Sequence, residues 1–209
     1  MYFPHGGILS CVVEAETGWG IETGMIGYDG IFGAGQAIDH GVSLNKVVVQ
    51  IAGPASVVSG KAISDLAGTS AGFRDLVARF EHFMLAQSQQ SATCNAVHNV
   101  EQRMCEWLVR MYDLAGAELP LTQEFLAQMM GVRRTSVTVV AGEMQKKGMI
   151  SYHRGKLRIL DIDLICKNGC ECAETARQHY DRMFGTSGGS PASYKPTGTR
   201  PSNTKDTAC

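Results

Sequence analysis

Residues 121–142 read LTQEFLAQMMGVRRTSVTVVAG, a helical apolar pattern broken by one glycine, followed at once by two arginines, and then resumed. A single amphipathic helix has no use for Gly131, which inside a helix costs about 1 kcal/mol relative to alanine. Two short helices joined by a tight turn require it. Thr122, after Pro120, is a good N-cap for a helix from 123 to about 130. Leu126, Ala127 and Met130 share one face of that helix, Gly131 gives the turn its freedom, and Val132 plugs the core. A second helix is expected from about 134 to 147, with Val137, Val140, Ala141 and Met144 inward. Small Ala127, four residues before Gly131, stands where two helices must cross closely. Together these positions predict a helix-turn-helix. Beyond Gly148, residues 149–152 and 157–160 read as two strands around a turn at 153–156, which makes the unit a winged helix.

Charge gives this unit a partner. The whole chain carries a formal net charge of −1, but the average hides an asymmetry. Residues 1–72 hold two Lys/Arg against six Asp/Glu, whereas residues 120–160 hold seven against two. A basic segment in a nearly neutral chain predicts an anionic partner. Arg133, Arg134, Thr135, Ser136 and Thr138 cluster at the start of the second helix, where free N–H groups and the helix dipole favour phosphate. Arginine forks onto the O6 and N7 atoms of guanine, and threonine reaches a base or a thymine methyl. Thr122 and Gln123, together with Arg154 and Lys156 on the hairpin, suit phosphate contact. The alternative for these side chains is a solvated, charged surface.

The rest of the chain divides by period. Up to about residue 60, short β-branched runs alternate with glycines, as in a small β-sandwich or roll. Phe73, Leu76, Phe80, Phe83, Gln87, Gln90, Cys94 and Val97 then alternate in steps of three and four. That is a heptad seam on a helix of about 71–96, and it predicts pairing with a second copy. The same stripe could instead cover the chain's own core. Asn99 caps a second amphipathic helix that ends near 114–116, so His98 and Asn99 form a hinge. Residues 185–209 are almost entirely Gly, Ser, Thr, Pro and Lys/Arg and predict a disordered tail.

The order of these parts resembles the Crp/Fnr transcription regulators over about residues 1–184. The resemblance is carried by YFPHGGILSCVV, GMIGYDGIFG, SATCNAVHNVEQRMCEWLV, LPLTQEFLAQMMGVRRTSVTVVAGEMQKKGMI and CEC followed by HYDRMF. It implies an α+β fold with a partial, cupin-like β-roll over 1–70 and a dimerisation helix over 71–98. A winged helix-turn-helix over 99–184 and the tail complete it. It places Arg134, Thr135, Thr138 and Val139 at base-reading positions, with Arg133 where many members have a capping serine. The chain begins at a strand that other members reach later, so the roll reads as truncated or started late. Members that bind cyclic nucleotides clamp the phosphate with Gly-Glu and Arg-Ser/Thr pairs. Here no glutamate follows Gly33, and Asn45 and Lys46 fall at the second pair. No cAMP is therefore expected, and Ser88 and Gln89 are left as candidates for some other effector.

Seven cysteines, an odd number, with no secretory signal and no membrane-spanning run, predict a reduced, cytoplasmic chain without a membrane partner. Cys166, Cys170 and Cys172 invite a metal, but structural zinc sites pair such a motif with a second one, and none is evident in the sequence. No metal, cofactor or catalytic set is assigned. The expected function is a homodimeric, sequence-specific regulator on palindromic double-stranded DNA, with RNA polymerase as a further partner that the resemblance allows. The rival is a metal- or redox-sensing protein, with Cys94, Cys170 or Cys172 as the switch, that signals through protein contacts.

Overall fold

The computed structural model describes residues 1–185 except 17, 19, 40 and 44; the expected tail lies outside the described residues. The N-terminal part contains β1 (Tyr2–Pro4), β2 (Ile8–Glu14), β3 (Gly20–Ile26), helix α1 (Ala34–Asp39), β4 (Lys46–Ile51) and β5 (Ala55–Val57). β2 lies between β3 and β4 in an antiparallel sheet, and β1 pairs with β5 beside it. Alternate residues of β2 face different partners. Ile8 and Val12 enter the large core, whereas Leu9 and Cys11 meet Phe80 and Phe83. A strand covered on both faces has little need of polar alternation, which accounts for the run ILSCV; Val13 just beyond it is half exposed. The short helix α1 was not expected, since the glycines at 33, 35 and 41 read as turns alone.

Helices α2 (Gly60–Thr69), α3 (Ala71–Val97) and α4 (Val100–Ala115) follow. Ser70 caps α3, and Asn99 and Gln102 form a capping box at the start of α4. Then come β6 (Glu118–Leu119), α5 (Gln123–Met129), α6 (Arg134–Lys146), β7 (Ile150–His153), β8 (Lys156–Ile159), α7 (Ile162–Asn168) and α8 (Cys172–Phe184). The β6–β8–β7 sheet closes the wing. α4 is the spine of the molecule. Its Met104, Leu108 and Met111 are fully buried in one core that joins β2 and β3 to the helix-turn-helix.

The expected seam on α3 needs correction. Phe80, Phe83 and Cys94 are buried within the chain, and Phe73, Gln87 and Gln90 are half-buried. Only Leu76 and Val97 of that set are exposed. The reason lies in α8, which turns back along α3. Its Tyr180 and Phe184 pack on Phe83 with ring centroids 5.2 and 6.1 Å apart. The solvent-facing side of α3 carries a different three-four series: Ala78, His82, Leu85, Gln89, Ala92 and Ala96, all exposed.

Candidate nucleic-acid interface

The glycine corner has the geometry its sequence demanded. Gly131 adopts φ +63°, the left-handed region that disfavours any side chain. Its N–H donates to the Gln128 carbonyl, and the Val132 N–H donates to that of Ala127. That pair is a Schellman closure of α5 with Gly131 just past the helix end. Leu126, Ala127, Val137, Ala141 and Met144 are all buried where α5 and α6 cross. A Cβ on Gly131 would also lie 3.0 Å from Ile21 of β3, so the turn is wedged against the N-terminal sheet.

The opposite face is polar and open. Arg133 is the N-cap of α6 and makes no side-chain capping bond, so the first N–H groups of the helix keep their capacity for an anion. Arg133, Arg134, Thr135, Thr138 and Val139 are exposed, while Ser136 is half-buried. Arg134 stands 3.5 Å from Glu124 with both side chains mostly in water, a pair worth less than about 1 kcal/mol and readily exchanged for a phosphate or base. The Thr138 hydroxyl donates to Gln123 across 2.7 Å, so two residues singled out in the sequence meet on adjoining helices. Thr122 caps α5 by accepting from the Phe125 N–H.

At the tip of the wing, Arg154 and Gly155 both have positive φ, 47° and 75°, as a tight hairpin turn requires. Arg154 and Lys156 are exposed there. The Tyr152 hydroxyl donates to the Leu121 carbonyl at 2.7 Å and ties the wing to the entrance of α5. Helix start, first-helix cap and wing therefore present one basic surface.

The profile of the Crp-like helix-turn-helix domain matches residues 102–167, which span α4 through most of α7. This chain carries a Crp-like helix-turn-helix domain. Solved structures extend the likeness in fold to most of the chain. A Crp-family regulator from Thermus thermophilus superimposes with a TM-score of 0.66 at 15% identity, over 80% of this chain and 86% of that one. A protein described as a Crp/Fnr-family regulator from Eubacterium rectale gives 0.62 at 16% identity, over 85% and 80%. A second Thermus thermophilus regulator of the Crp/Fnr family gives 0.58 at 20% identity, over 83% and 87%. No curated protein matches in sequence. The fold is that of the Crp/Fnr regulators, and among the described residues no helix is long and apolar enough to cross a membrane.

Between the Crp-like domain and the N-terminal sheet lies a small cavity of about 60 Å³, lined by Glu22, Gln87, Ser91, Asn95, Arg103 and Arg110 among others. The expected effector contacts, Ser88 and Gln89, do not line it. Ser88 donates to the Thr23 and Met84 carbonyls, and Gln89 points to solvent. One position along the helix shifts a side chain by about 100°, and that rotation decides which polar groups face inward. Glu22 accepts from the Trp107 indole at 2.9 Å, and burial pushes its carboxyl up to about 8. Burial likewise raises Glu106, to about 7. Sequence reading missed both, since Glu22 sits in a glycine-rich strand with no visible partner.

The cysteines are placed most differently from expectation. Cys94, assigned to an intersubunit seam, lies 3.6 Å sulfur to sulfur from Cys170. Cys172 and the hinge residue His98 stand beside them. Cys166 is not one of this group. The signal available in the sequence was the four-residue spacing of Cys94 and His98, which puts both on one helix face.

Proposed function

We propose that this chain is a sequence-specific DNA-binding transcription regulator, acting as a homodimer on a two-fold-symmetric site. The observation that carries the reading is the uncapped start of α6, where Arg133, Arg134, Thr135 and Thr138 stand exposed beside basic wing residues. Arg134 would read a base edge in the major groove, while Thr122, Gln123, Arg133, Arg154 and Lys156 hold phosphates. The exposed series on α3 is the surface for the second copy, because its three-four spacing gives one continuous stripe along the helix. Two recognition helices related by that axis would enter successive major grooves about 34 Å apart.

Selection of bound duplexes from a random DNA pool tests the reading. A palindromic consensus is expected, and Arg134→Ala should weaken it by about 1–3 kcal/mol while relaxing preference at one symmetric base pair. Binding without any consensus, governed only by salt, would reduce the basic surface to a non-specific patch.

A further inference from the structure

We propose that Cys94, His98, Cys170 and Cys172 bind a single tetrahedral divalent metal ion of the zinc class, and that this ion fastens α8 to the hinge. The ligand atoms of these four residues all lie within 4.8 Å of one another. Cys94 Sγ is 3.6 Å from Cys170 Sγ, and Cys172 Sγ is 3.6 Å from His98 Nδ1. Metal–sulfur bonds of about 2.3 Å and metal–nitrogen bonds of about 2.0 Å at tetrahedral angles place ligand atoms roughly 3.5–3.8 Å apart. The two 3.6 Å pairs already have that spacing, and the remaining pairs, within 4.8 Å, need to close by no more than about 1 Å. The thiolates of a four-iron cluster bind separate corners of a cube and stand wider apart, so the geometry favours one ion.

Topology explains why the sequence conceals the site. Cys94 and His98 are four apart at the end of α3, one above the other on the helix face. Cys170 and Cys172 flank Glu171 where α7 gives way to α8. A Cys-x3-His pair and a Cys-x-Cys pair, far apart in the chain, supply the two halves that a structural zinc site requires.

The surroundings suit a metal as well. His98 turns Nδ1 toward Cys172, while its Nε2 lies 3.5 Å from the Glu171 carboxylate. A ligating imidazole held by a carboxylate on its other nitrogen is the usual outer arrangement of zinc sites. The Gln90 amide donates to Cys172 Sγ at 3.0 Å. Cys172 also opens the thirteen-residue helix α8, so the ligand sits at the very start of the element it would fasten. Binding would release the three thiol protons to solvent, and three thiolates with a divalent ion leave one net negative charge. The Gln90 amide at Cys172, with the Arg103 guanidinium near Cys94, offsets it.

The site's position gives it a consequence. His98 is the C-cap of α3 and Asn99 the N-cap of α4, so the ion would lock the corner from which the Crp-like domain hangs. Its loss would free the start of α8 from α3 and let α4 reorient. That regulatory consequence rests on the proposed DNA reading; the metal site does not.

The test uses the full chain, purified without a histidine tag or added metal. Elemental analysis should find about one zinc per chain, with no inorganic sulfide. After removal of zinc by a chelator under reducing conditions, cobalt(II) should give the intense visible bands and sulfur charge-transfer absorption of a tetrahedral thiolate site. Cys170→Ser and His98→Ala should lose stoichiometric binding, whereas His5→Ala, exposed between β1 and β2, should keep it. Circular dichroism identifies any variant that fails to fold, and cobalt binding to the unaltered chain reads the site independently of variants. Less than about a tenth of an equivalent of metal together with a weak octahedral cobalt spectrum would overturn the site. Iron with sulfide, or a Cys94–Cys170 disulfide in the isolated protein, would do the same. On the selected duplex, the metal-free form should bind at least about 10-fold more weakly and recover with zinc. Stoichiometric zinc with unchanged DNA affinity overturns the regulatory half alone, and zinc without any DNA consensus overturns the DNA reading alone.

Discussion

The chain turns from one helix into the next at Gly131 and again at His98–Asn99, and the two corners are held by different means. At Gly131 most of what is needed is local: a left-handed glycine, a Schellman closure and small or apolar side chains within about four turns of it, with Ile21 of β3 and Arg103 of α4, which donates to the Met130 carbonyl, bracing the turn from outside. At the hinge, the capping box of Asn99 and Gln102 starts α4 locally, but the orientation of the corner depends on remote groups. Those are Cys170 and Cys172 from beyond the wing and Glu22 from the N-terminal sheet. A corner fixed by neighbours in sequence is rigid under most conditions. A corner fixed by distant side chains responds to what changes those side chains, and this is the corner where α3 passes into α4.

The contrast can be tested first through protons, where the expected effect is largest. Burial raises the Glu22 carboxyl to about 8, against an unfolded value near 4.3. Between these values the folded state holds a proton that the unfolded state has released. The stability contribution is therefore full below about pH 4.3, falls as pH rises, and levels off above about pH 8. Glu106, raised by burial to about 7, adds a loss of the same sign. Glu22→Gln keeps an acceptor for Trp107 and removes the titration, so its stability should be flatter in pH, by on the order of a few kcal/mol between pH 5 and 8. Urea unfolding at the two pH values measures this, and parallel losses in both proteins would show that Glu22 does not carry the proton.

Two glycines sharpen the other side of the comparison. Gly131→Ala must accept φ +63° and a 3.0 Å approach to Ile21, and should destabilise by about 1–2 kcal/mol. Gly142 lies within α6, with no heavy atom near its missing Cβ. Gly142→Ala should stabilise by up to about 1 kcal/mol. Changes of the same sign in thermal melts would refute the view that the corner, and not glycine content, makes Gly131 necessary. An effect of similarly small size is expected at the hinge cap. Asn99→Ala removes the side-chain half of the capping box, leaving the backbone N–H of residue 99 to donate to Gln102, and should cost about 1 kcal/mol, nearly independent of pH. A loss of several kcal/mol would mean that the hinge is held locally after all.

The winged helix was legible because each of its elements is a short-range pattern. Expected helices at 123–130 and 134–147 are found as Gln123–Met129 and Arg134–Lys146, and the hairpin turns at Arg154 and Gly155 as the spacing required. α3 was legible in length but not in facing. Two interleaved three-four series run along it, and periodicity alone cannot say which one meets the chain's own core. The aromatic one was assigned to a second copy. The structure gives Phe80 and Phe83 to the sheet and to Tyr180 and Phe184 of α8, a helix the sequence reading did not delineate.

The sequence by itself determined the helix-turn-helix, its wing, its caps and the basic surface at the start of α6, because propensity, capping and local charge act over a few residues. Tertiary structure alone decided which side of α3 is open, that Glu22 is buried beside Trp107, and that Cys94 and His98 meet Cys170 and Cys172. Those outcomes depend on where α8 and β3 come to rest. Packing between segments some seventy or more residues apart is set by the fit of whole faces, which no local pattern records.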